Sequence, residues 1–302
     1  MRLLLVDGHY YLYRSFFAIR GLKNSHGEPT NAIYGFVKAL RKMIIDLKPD
    51  LALVVWDAGL PEHRIKLQPA YKEHREEMPL ELQKQQEPLQ RLISVLGVKN
   101  ISSPQTEADD LIGSYATKAQ AEGIESVIAT NDKDIMQLVS PRVKIYSVAK
   151  ADITHEGSHP LTYALLGVAD VEKKWGVSPA QIVDLLALTG DTADNIPGIA
   201  GVGKKTAATW IQQFKSLDNL LASSHLHPKI HAKIASSHAQ LVQNREMIAL
   251  QLNLPLPLEL HSLDIEPDYP QFIQLLDYFE FRRLANDMRE EARRWGIPIE
   301  ST

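Results

Sequence analysis

The sequence predicts an α/β fold, with a mostly parallel sheet flanked by helices and a mainly helical region after it. Three short apolar runs predict buried strands, at residues 2–6 (RLLLV), 51–56 (LALVVW) and 126–130 (SVIAT). The runs are continuous rather than alternating, as in strands that are covered on both faces. Helical patterns lie between the runs, and strands that alternate with helices form parallel sheets.

Two helices are predicted between these strands. The first spans residues 31–47, ends before Pro49, and places these apolar side chains on one face: Tyr34, Val37, Leu40, Ile44 and Leu47. The second spans residues 106–121, with Thr106 as its N-cap and Gly123 close to its end.

From about Trp175 onward the pattern predicts mainly helices. Ser178 and Pro179 open a helix with a good cap and a proline in the first turn. A glycine-rich turn at residues 198–203 precedes another helix over residues 204–214.

The composition is that of an ordinary globular protein. The chain has 302 residues, and we divide it into an α/β core over residues 1–175 and a helical region over residues 176–302. It contains no cysteine, which excludes disulfides and thiolate metal sites. The first apolar run is too short for a signal peptide and no run is long enough to span a membrane. We therefore expect a cytoplasmic protein, and nothing in the sequence demands more than a monomer.

Each predicted strand is followed by aspartate. Asp7 follows the first strand, Asp57 the second, and Asp132 and Asp134 the third. Because the carboxyl ends of parallel strands share one edge of the sheet, these side chains should converge there. Further acids lie at the start of the second helix and before the glycine-rich turn: Glu107, Asp109, Asp110, Asp191 and Asp194.

Converging carboxylates predict a metal site. They repel one another unless they are protonated, paired or bound to a cation. Oxygen ligands without cysteine favour Mg²⁺ or Mn²⁺ over Zn²⁺, and two such ions suit displacement at phosphorus. Taken singly, each acid has an ordinary explanation as a turn residue or a helix-dipole partner. Their common location favours metal binding.

The net charge of −4, from 33 basic and 37 acidic residues, does not show the basic footprint that is usual for nucleic-acid binders. The nine acids assigned to the metal site account for this difference. Without them 33 basic residues face 28 acidic ones, a balance of +5. The sequence is therefore compatible with a basic surface around an acidic centre.

A set of motifs in fixed order carries a family resemblance. They are Val6-Asp7-Gly8 with Leu12-Tyr13-Arg14, Tyr71-Lys72-x-x-Arg75-x-x-Met78-Pro79, Glu107-Ala108-Asp109-Asp110, Asp132-Lys133-Asp134, Gly190-Asp191-x-x-Asp194-Asn195-Ile196-Pro197-Gly198 and Gly201-Val202-Gly203-Lys204-Lys205-Thr206-Ala207. In this order they resemble the 5′ nuclease domain of bacterial DNA polymerase I and the related flap endonucleases, over most of residues 1–290. No polymerase domain follows, so the chain is similar to a free-standing 5′–3′ exonuclease.

The resemblance implies a PIN-like 5′ nuclease core and a role for each matching residue. Asp7, Asp57, Glu107 and Asp109 would surround a first metal ion, with Asp110 nearby. A second ion would use Asp132, Asp134, Asp191 and Asp194, and a complete second set favours flap endonuclease as well as exonuclease action. Arg14, Lys72 and Arg75 would contact the reacting phosphate, and Tyr71 would stack near the terminal base.

Residues 61–79 are rich in charged side chains and have few apolar anchors. A connection of this length is usually functional or disordered. We predict a mobile helical arch, extending to about residue 90, that holds single-stranded DNA through phosphate contacts and aromatic stacking. Arg64 is among its DNA-binding residues. The alternative is a solvated loop.

The glycine-rich turn predicts a helix–hairpin–helix element at about residues 182–214. Gly198, Gly201 and Gly203 let the backbone approach DNA, while Lys204 and Lys205 add charge at a helix N-terminus. The resemblance implies that carbonyl groups there hold K⁺. A plain helix–helix turn is the alternative. The partial match to a P-loop lacks the preceding strand and the Ser or Thr after Lys204.

Two histidine patterns have weaker support. Residues 155–159 fit the HExxH zinc-protease motif, but Gly157 and Pro160 disfavour the helix that the motif requires. A group of three histidines is interrupted by Pro228: His225, His227 and His231.

The expected substrate is DNA with a 5′ flap, a nick or a free 5′ end, with an RNA primer also cut. Three other functions are weighed against this one. A haloacid-dehalogenase-type phosphatase would need a second aspartate where the chain has His9. The others are a catalytically silent DNA-binding module and an RNase of related architecture.

Overall fold

A computed structural model describes residues 1–147, 163–224 and 227–299. At its centre lies a six-stranded sheet composed of β1 (Arg2–Asp7), β2 (Leu51–Trp56), β3 (Lys99–Ser102), β4 (Glu125–Ala129), β5 (Val143–Ser147) and β6 (Ala164–Leu166). The order across the sheet is β3-β2-β1-β4-β5-β6. Neighbouring strands are parallel except β5 and β6, which confirms the predicted mostly parallel sheet.

The central position of β1 creates a switch point in the topology. The chain runs from β1 to β2 and β3 on one side, and then crosses to β4 and β5 on the other. In open α/β sheets such a switch point leaves a crevice outside the carboxyl ends of the strands. The aspartates that follow β1, β2 and β4 therefore meet at the usual ligand-binding position.

Helices flank the sheet in the first half of the chain. They are α1 (Gly8–Ala18), α2 (Asn31–Leu47), α3 (Glu62–Leu67), α4 (Leu80–Val95) and α5 (Ala108–Ala121). The predicted helix over residues 31–47 is confirmed by α2. It ends at Lys48 in a left-handed conformation, with φ of 45°, just before Pro49.

The predicted N-cap of α5 is wrong by one residue. Glu107, not Thr106, occupies the N-cap position, and its own side chain does not cap the helix. The backbone N–H of Ala108 instead donates to Asp57 Oδ1 at 2.8 Å. A carboxylate from the neighbouring strand end thus satisfies a free N–H of the first turn, a tertiary contact that local sequence rules do not include.

The second half is mainly helical, as predicted. Its helices are α6 (Val168–Trp175), α7 (Ile182–Thr189), α8 (Lys204–Phe214), α9 (Leu217–Ala222), α10 (Pro228–Ser236), α11 (His238–Ile248), α12 (Tyr269–Tyr278) and α13 (Arg282–Arg294). A capping box between Ser178 and Gln181 leads through a 3-10 turn at Pro179–Gln181 into α7. Between α7 and α8, β7 (Gly190–Asp191) pairs antiparallel with β8 (Ile196–Pro197).

Alternate residues of the strands fill two apolar cores on opposite faces of the sheet. Leu4, Val54 and Val127 belong to a core shared with α1, α2, α4, α12 and α13. Leu5, Leu53 and Ile128 face a second core, shared with α5 and with the helices from α6 to α11. The sheet is therefore covered on both faces, which fixes the strand ends and the side chains that follow them. No described helix combines the length and the apolar character needed to cross a membrane.

Candidate active site and metal centre

Four carboxylates from separate elements line one cavity of about 440 Å³. Asp7 ends β1, Asp57 follows β2, Asp109 lies in the first turn of α5, and Asp132 follows β4. The remaining wall is formed by His9, Tyr10, Tyr13, Arg14, Phe17, Lys72, Arg75, Ala108 and Asn131. The structure thus brings together acids that are up to 125 positions apart in sequence.

Asp7 is held by its surroundings in a fixed orientation. Oδ1 accepts a hydrogen bond from the Tyr10 backbone N–H at 2.9 Å, and Oδ2 accepts one from the Thr130 hydroxyl at 2.8 Å. Burial raises the pKa of Asp7 to about 6, and the charges of Asp57 and Asp132 add to this while the two hydrogen bonds oppose it. The ionised form of Asp7 is therefore less stable than that of an ordinary aspartate, and a nearby cation would stabilise it.

Asp57 differs from Asp7 in the direction of its pKa shift. Burial acts to raise its pKa, but the Ala108 N–H, the Lys72 charge and, when its ring is protonated, His9 outweigh burial and lower the pKa to about 2. Asp57 is consequently ionised at any pH near neutrality.

Asp109 and Asp132 are also electrostatically strained. Burial raises the pKa of Asp109 well above its usual range, and the negative charges of Asp132, Asp7 and Asp57 raise it further. Burial likewise raises the pKa of Asp132, although its Oδ1 accepts the Asp134 backbone N–H at 2.8 Å. Three acids with raised pKa values and the ionised Asp57 form a cavity that favours a multiply charged cation.

A second carboxylate group lies beside the first. Asp134, Asp191 and Asp194 each offer an oxygen within 4.8 Å of the others. Oδ1 of Asp134 is buried and has no hydrogen-bond partner among the described residues. Burial and the neighbouring acids raise the pKa of Asp134 well above its usual range. An oxygen-only donor set with one unpartnered buried oxygen fits a hard divalent cation.

Basic side chains partly balance this second group. Lys133 Nζ lies 2.8 Å from Asp191 Oδ1, and Arg75 Nη2 lies 2.9 Å from Asp194 Oδ1. Asp132 lies between the two groups, because it lines the first cavity and also interacts with the charges of Asp194 and Asp191.

Asp110 does not line this cavity. Successive residues of an α-helix point about 100° apart, so Asp109 and Asp110 cannot both face the same space. Asp110 turns toward Arg64, whose two Nη atoms donate to it at 2.8 and 2.9 Å, and it also accepts the Gln251 N–H. Its oxygens are thus engaged in an internal ion pair rather than presented beside the first metal position.

The prediction that Arg64 contacts DNA does not agree with the structure. Arg64 is only 2% exposed. Besides Asp110 it pairs with Glu107, and it donates to the carbonyl oxygens of Met247 and Ala249. Since an unpaired guanidinium cannot be buried at acceptable cost, these partners explain its position and show that it ties α3 to α5 and α11.

Tyr71 is also placed differently from the prediction. Its side chain is 4% exposed and its hydroxyl donates to Glu107 and Asp194. The ring is packed in the core and does not face an open space where a base could stack. The sequence alone did not show that this aromatic residue packs beneath the charged segment.

Lys72 and Arg14 border the first cavity, as does Arg75. The Lys72 ammonium contacts Glu107 and lies 3.8 Å from Asp194 Oδ2, with the backbone of Lys72 in the left-handed region at φ 56°. Arg14 is exposed on α1 and lines the same cavity. Burial lowers the pKa of Lys72, but the negative charges of Glu107 and Asp194 outweigh burial and raise it. The Lys72 ammonium therefore interacts with acids from both the N-cap of α5 and the segment after β7.

Several residues of this site were not found by sequence reasoning. The face of α1 toward the cavity carries Tyr10, Tyr13 and Phe17 beside the predicted Arg14, and Phe17 is 62% exposed. The spacing i, i+3, i+4, i+7 of these four resembles an ordinary core stripe, so the three aromatic residues did not point to a ligand site. His9, Asn131 and Thr130 lack a recognisable motif of their own.

The glycine-rich turn lies apart from the first cavity. Gly198 is a packing residue, because a Cβ there would lie 2.1 Å from the Thr189 carbonyl oxygen. Gly201 has φ of 77°, whereas Gly203 is exposed and has open space where a side chain would be. Lys204 and Lys205 are exposed at the start of α8, and Lys204 Nζ lies 4.3 Å from the centre of the Trp175 ring system. The HExxH pattern at residues 155–159 and His225 lie outside the described residues.

Two family models match this chain, and they meet close to the boundary between the α/β core and the helical region. Residues 2–176 match the 5′–3′ exonuclease N-terminal resolvase-like domain, and residues 177–271 match the 5′–3′ exonuclease C-terminal SAM fold. The chain belongs to the 5′–3′ exonuclease family. The resemblance noted from the ordered motifs is therefore confirmed.

The relatives of this chain include longer proteins. This chain is 36% identical over 287 residues to the thermostable DNA polymerase I of Thermus aquaticus, and the match covers 95% of this chain and 33% of that protein. It is 33% identical over 294 residues to DNA polymerase I of Bacillus subtilis (strain 168), covering 96% and 32%. The chain thus spans about a third of the length of these relatives.

Solved structures share the fold at lower identity. The zinc-bound T5 5′-exonuclease aligns with a TM-score of 0.66 at 20% identity, covering 96% of this chain and 99% of that chain. The catalytic core of Rad2 in complex with DNA substrate aligns with a TM-score of 0.61 at 14% identity, covering 95% and 90%.

Proposed function

We propose that this chain is a structure-specific 5′–3′ exonuclease and flap endonuclease that hydrolyses phosphodiester bonds near the 5′ end of DNA. The observation that carries the proposal is the pair of carboxylate groups at the carboxyl edge of the sheet. Family membership supports the proposal. Two solved structures with the same fold also support it: the catalytic core of Rad2 is in complex with DNA substrate, and T5 5′-exonuclease has divalent metal ions bound.

We propose that two sets of carboxylates hold the divalent cations. Asp7, Asp57, Asp109 and Asp132 would hold one, with Glu107 behind them. Asp134, Asp191 and Asp194 would hold the other. We propose Mg²⁺ or Mn²⁺, because every donor is a carboxylate oxygen. When bound, such cations activate water and stabilise the leaving oxygen of a phosphodiester.

The protein's own groups would bind and orient the scissile phosphate. Arg14 on α1 and Lys72 and Arg75 on the charged segment line the same cavity and can all approach a phosphate there. Their positive charges would offset charge that develops on the phosphate oxygens during displacement. In the present arrangement Lys72 and Arg75 pair with Glu107 and Asp194, so we propose that they exchange these partners for phosphate when DNA binds.

The other DNA contacts remain proposals. We propose that residues 61–90 form an arch over single-stranded DNA, and that the backbone of Gly201 and Gly203, with Lys204 and Lys205, holds duplex phosphates. A K⁺ ion would bind the carbonyl groups of the hairpin. The substrate would be a 5′ flap, a nick or a free 5′ end, including RNA at a primer end, and the enzyme would act as a cytoplasmic monomer.

The competing functions fit the site less well. A phosphatase of the haloacid-dehalogenase type needs a second aspartate at position 9, where His9 accepts a hydrogen bond from the Asp57 N–H. A silent DNA-binding module has no need for an unpartnered buried carboxylate oxygen such as Asp134 Oδ1.

The direct test of substrate choice uses three 5′-labelled substrates of equal length: a flap, a nicked duplex and a single strand. With Mg²⁺ we expect short products from the flap and the nick, and little product from the single strand. Equal cleavage of all three would show a nuclease without structure specificity. A parallel RNA flap tests the related RNase function.

A further inference from the structure

His9 is a cavity residue whose two ring nitrogens have different surroundings. It is the second residue of α1, lines the carboxylate cavity and is 18% exposed in its side chain. Nδ1 accepts a hydrogen bond from the Asp57 backbone N–H at 3.1 Å. The ring stands edge-on to Trp56, at 5.5 Å between centroids and an interplanar angle of 88°. These contacts fix both the position and the rotation of the imidazole.

The hydrogen bond at Nδ1 decides which nitrogen carries the proton. A neutral imidazole has one donor and one acceptor nitrogen. Since Nδ1 accepts from a main-chain N–H, the proton of the neutral ring lies on Nε2. Nδ1 also lies 3.3 Å from Asp57 Oδ2, but the backbone contact has the geometry of a hydrogen bond. Nε2–H has no hydrogen-bond partner among the described residues.

The chemistry of the cavity limits what Nε2–H can bind. His9 lines the ligand cavity, so the acceptor for Nε2–H has to come from the ligand, because the carboxylates around it are those assigned to cations. Arg14, Lys72 and Arg75 supply positive charge on the same walls. An anionic oxygen ligand is therefore favoured, and a phosphate oxygen meets both requirements.

We propose that His9 donates Nε2–H to a non-bridging phosphate oxygen of the nucleic-acid strand in the cavity. This rests on the proposed nuclease function, and it adds a donor of fixed position to the three cationic groups. His9 is then a substrate-binding residue as well as a partner of the Asp57 backbone.

Two substitutions separate the two nitrogens. In His9→Gln the amide nitrogen takes the place of Nε2, whereas in His9→Asn the shorter amide reaches only the place of Nδ1. Single-turnover cleavage with saturating enzyme is measured for both, together with Kd for a flap in Ca²⁺. We expect His9→Gln to stay within about threefold of wild type, and His9→Asn to lose about tenfold in rate, the effect of one hydrogen bond to a charged acceptor.

The phosphate that His9 contacts is identified by a substrate change. A neutral methylphosphonate replaces one phosphate at a time on either side of the cut. When the methylphosphonate lies at the contacted position, wild type has already lost the hydrogen bond, so His9→Asn should cause no further loss of rate. When it lies at any other position, His9→Asn should still be about tenfold slower than wild type. Thermal unfolding of each variant monitors folding. The same two substitutions at His261, which is exposed and pairs with Glu122, serve as controls and should leave the rate unchanged.

Opposite results would overturn the proposal. If His9→Asn is active and His9→Gln is impaired, only the Nδ1 contact with Asp57 matters and the role is structural. If both variants cut like wild type, or if the loss in His9→Asn persists with every methylphosphonate, Nε2 does not bind phosphate. Failure of the wild-type enzyme to cut any substrate would instead reject the proposed function itself.

Discussion

At the scale of single residues, the site depends on acids that differ strongly in pKa although they share one cavity. Asp57 is held ionised by a helix N–H and nearby positive charge, whereas burial raises the pKa of Asp7 to about 6. The sequence identified both as candidates because each follows a strand. It could not show the difference between them, since the groups that stabilise the ionised form of Asp57, among them the Ala108 N–H and Lys72, come close to it only in the folded chain.

The raised pKa of Asp7 predicts how stability changes with pH. Its folded pKa of about 6 exceeds the ordinary aspartate pKa of 3.8, so without metal the folded state binds more protons between these values. The free energy of unfolding should therefore fall as pH rises through this window. The pKa of Asp57 is shifted in the opposite direction, and its stabilising contribution disappears only below about pH 4.

We expect Asp7→Asn to remove about 1 kcal/mol of the decrease in stability between pH 5 and pH 7 in the metal-free protein. Urea unfolding in chelator at pH 5, 6 and 7 measures this, with Asp50→Asn as a control at an exposed acid remote from the cavity. A metal-free wild type that becomes more stable from pH 5 to pH 7 would contradict the raised pKa of Asp7.

Arg64 gives a second prediction at this scale. Arg64→Ala should lower the free energy of unfolding by about 3 kcal/mol, because Asp110 and Glu107 would be left without a buried partner. Lys66→Ala is the matched control in the same helix, where the Glu62–Lys66 pair is exposed and should contribute less than about 1 kcal/mol. Chemical denaturation measures both. Equal stabilities for the two variants would show that the buried ion pair is not needed to attach α3.

At the scale of secondary-structure elements, the two predicted DNA-contacting segments differ in their relation to the site. The segment with Lys72 and Arg75 touches the carboxylates directly, whereas the start of α8 does not line the cavity. The sequence predicted both segments from charge and glycine content. It missed that Arg64 and Tyr71 of the first segment are buried, because charged composition is also typical of exposed loops.

This arrangement predicts a division of labour between the segments. Lys72→Ala should reduce the single-turnover rate at saturating enzyme by at least tenfold, because it removes charge at the scissile phosphate. The double variant Lys204→Ala, Lys205→Ala should raise Kd for duplex-containing substrates and lower the salt slope by about one for each phosphate that is no longer neutralised. Its saturated rate should be nearly normal. Cleavage curves at several salt concentrations, with binding in Ca²⁺, separate the two effects, and identical behaviour of both variants would reject this division.

The hairpin between α7 and α8 offers a test of glycine function. Gly198→Ala should destabilise the protein by several kcal/mol, on the order of 3 or more, because its Cβ would overlap the Thr189 carbonyl. Gly203→Ala meets no atom and has a negative φ, so the fold should be retained. If the backbone at Gly203 approaches phosphate, Kd for duplex DNA should nevertheless rise. Thermal unfolding and DNA binding of the pair distinguish a packing glycine from a binding one, and normal binding by a folded Gly203→Ala variant would remove this residue from the DNA site.

At the scale of the whole molecule, the predictable part of the fold was the part with the strongest local pattern. β1, β2 and β4 are continuous apolar runs and α2 has a long apolar periodicity, and all four agree with their predicted bounds to within one residue. β3 (Lys99–Ser102) is short and largely polar, and β6 has three residues, so neither has a local signal above that of a loop. The convergence of the carboxylates followed from parallel topology alone. Their separation into two groups required the positions of α5 and of the β7–β8 ribbon.

The molecule as a whole also explains how a chain of net charge −4 can belong to a family of nucleases. Seven acids are gathered at one edge of the sheet, in the cavity and beside it. Bound cations would offset much of this charge locally. Arg14 and the start of α8 remain exposed for contacts with DNA.

The most direct test of the central claim is single-turnover cleavage of a 5′-labelled flap as Mg²⁺ is titrated from excess chelator to saturation, for wild type and for Asp7→Asn. A metal-dependent nuclease built on these carboxylates predicts no cleavage in chelator and a sigmoidal or linear rise with Mg²⁺ for wild type. Asp7→Asn should be slower by at least about a hundredfold while still binding the flap in Ca²⁺. Undiminished cleavage in chelator, or an Asp7→Asn variant as fast as wild type, would contradict a metal-dependent mechanism at these carboxylates.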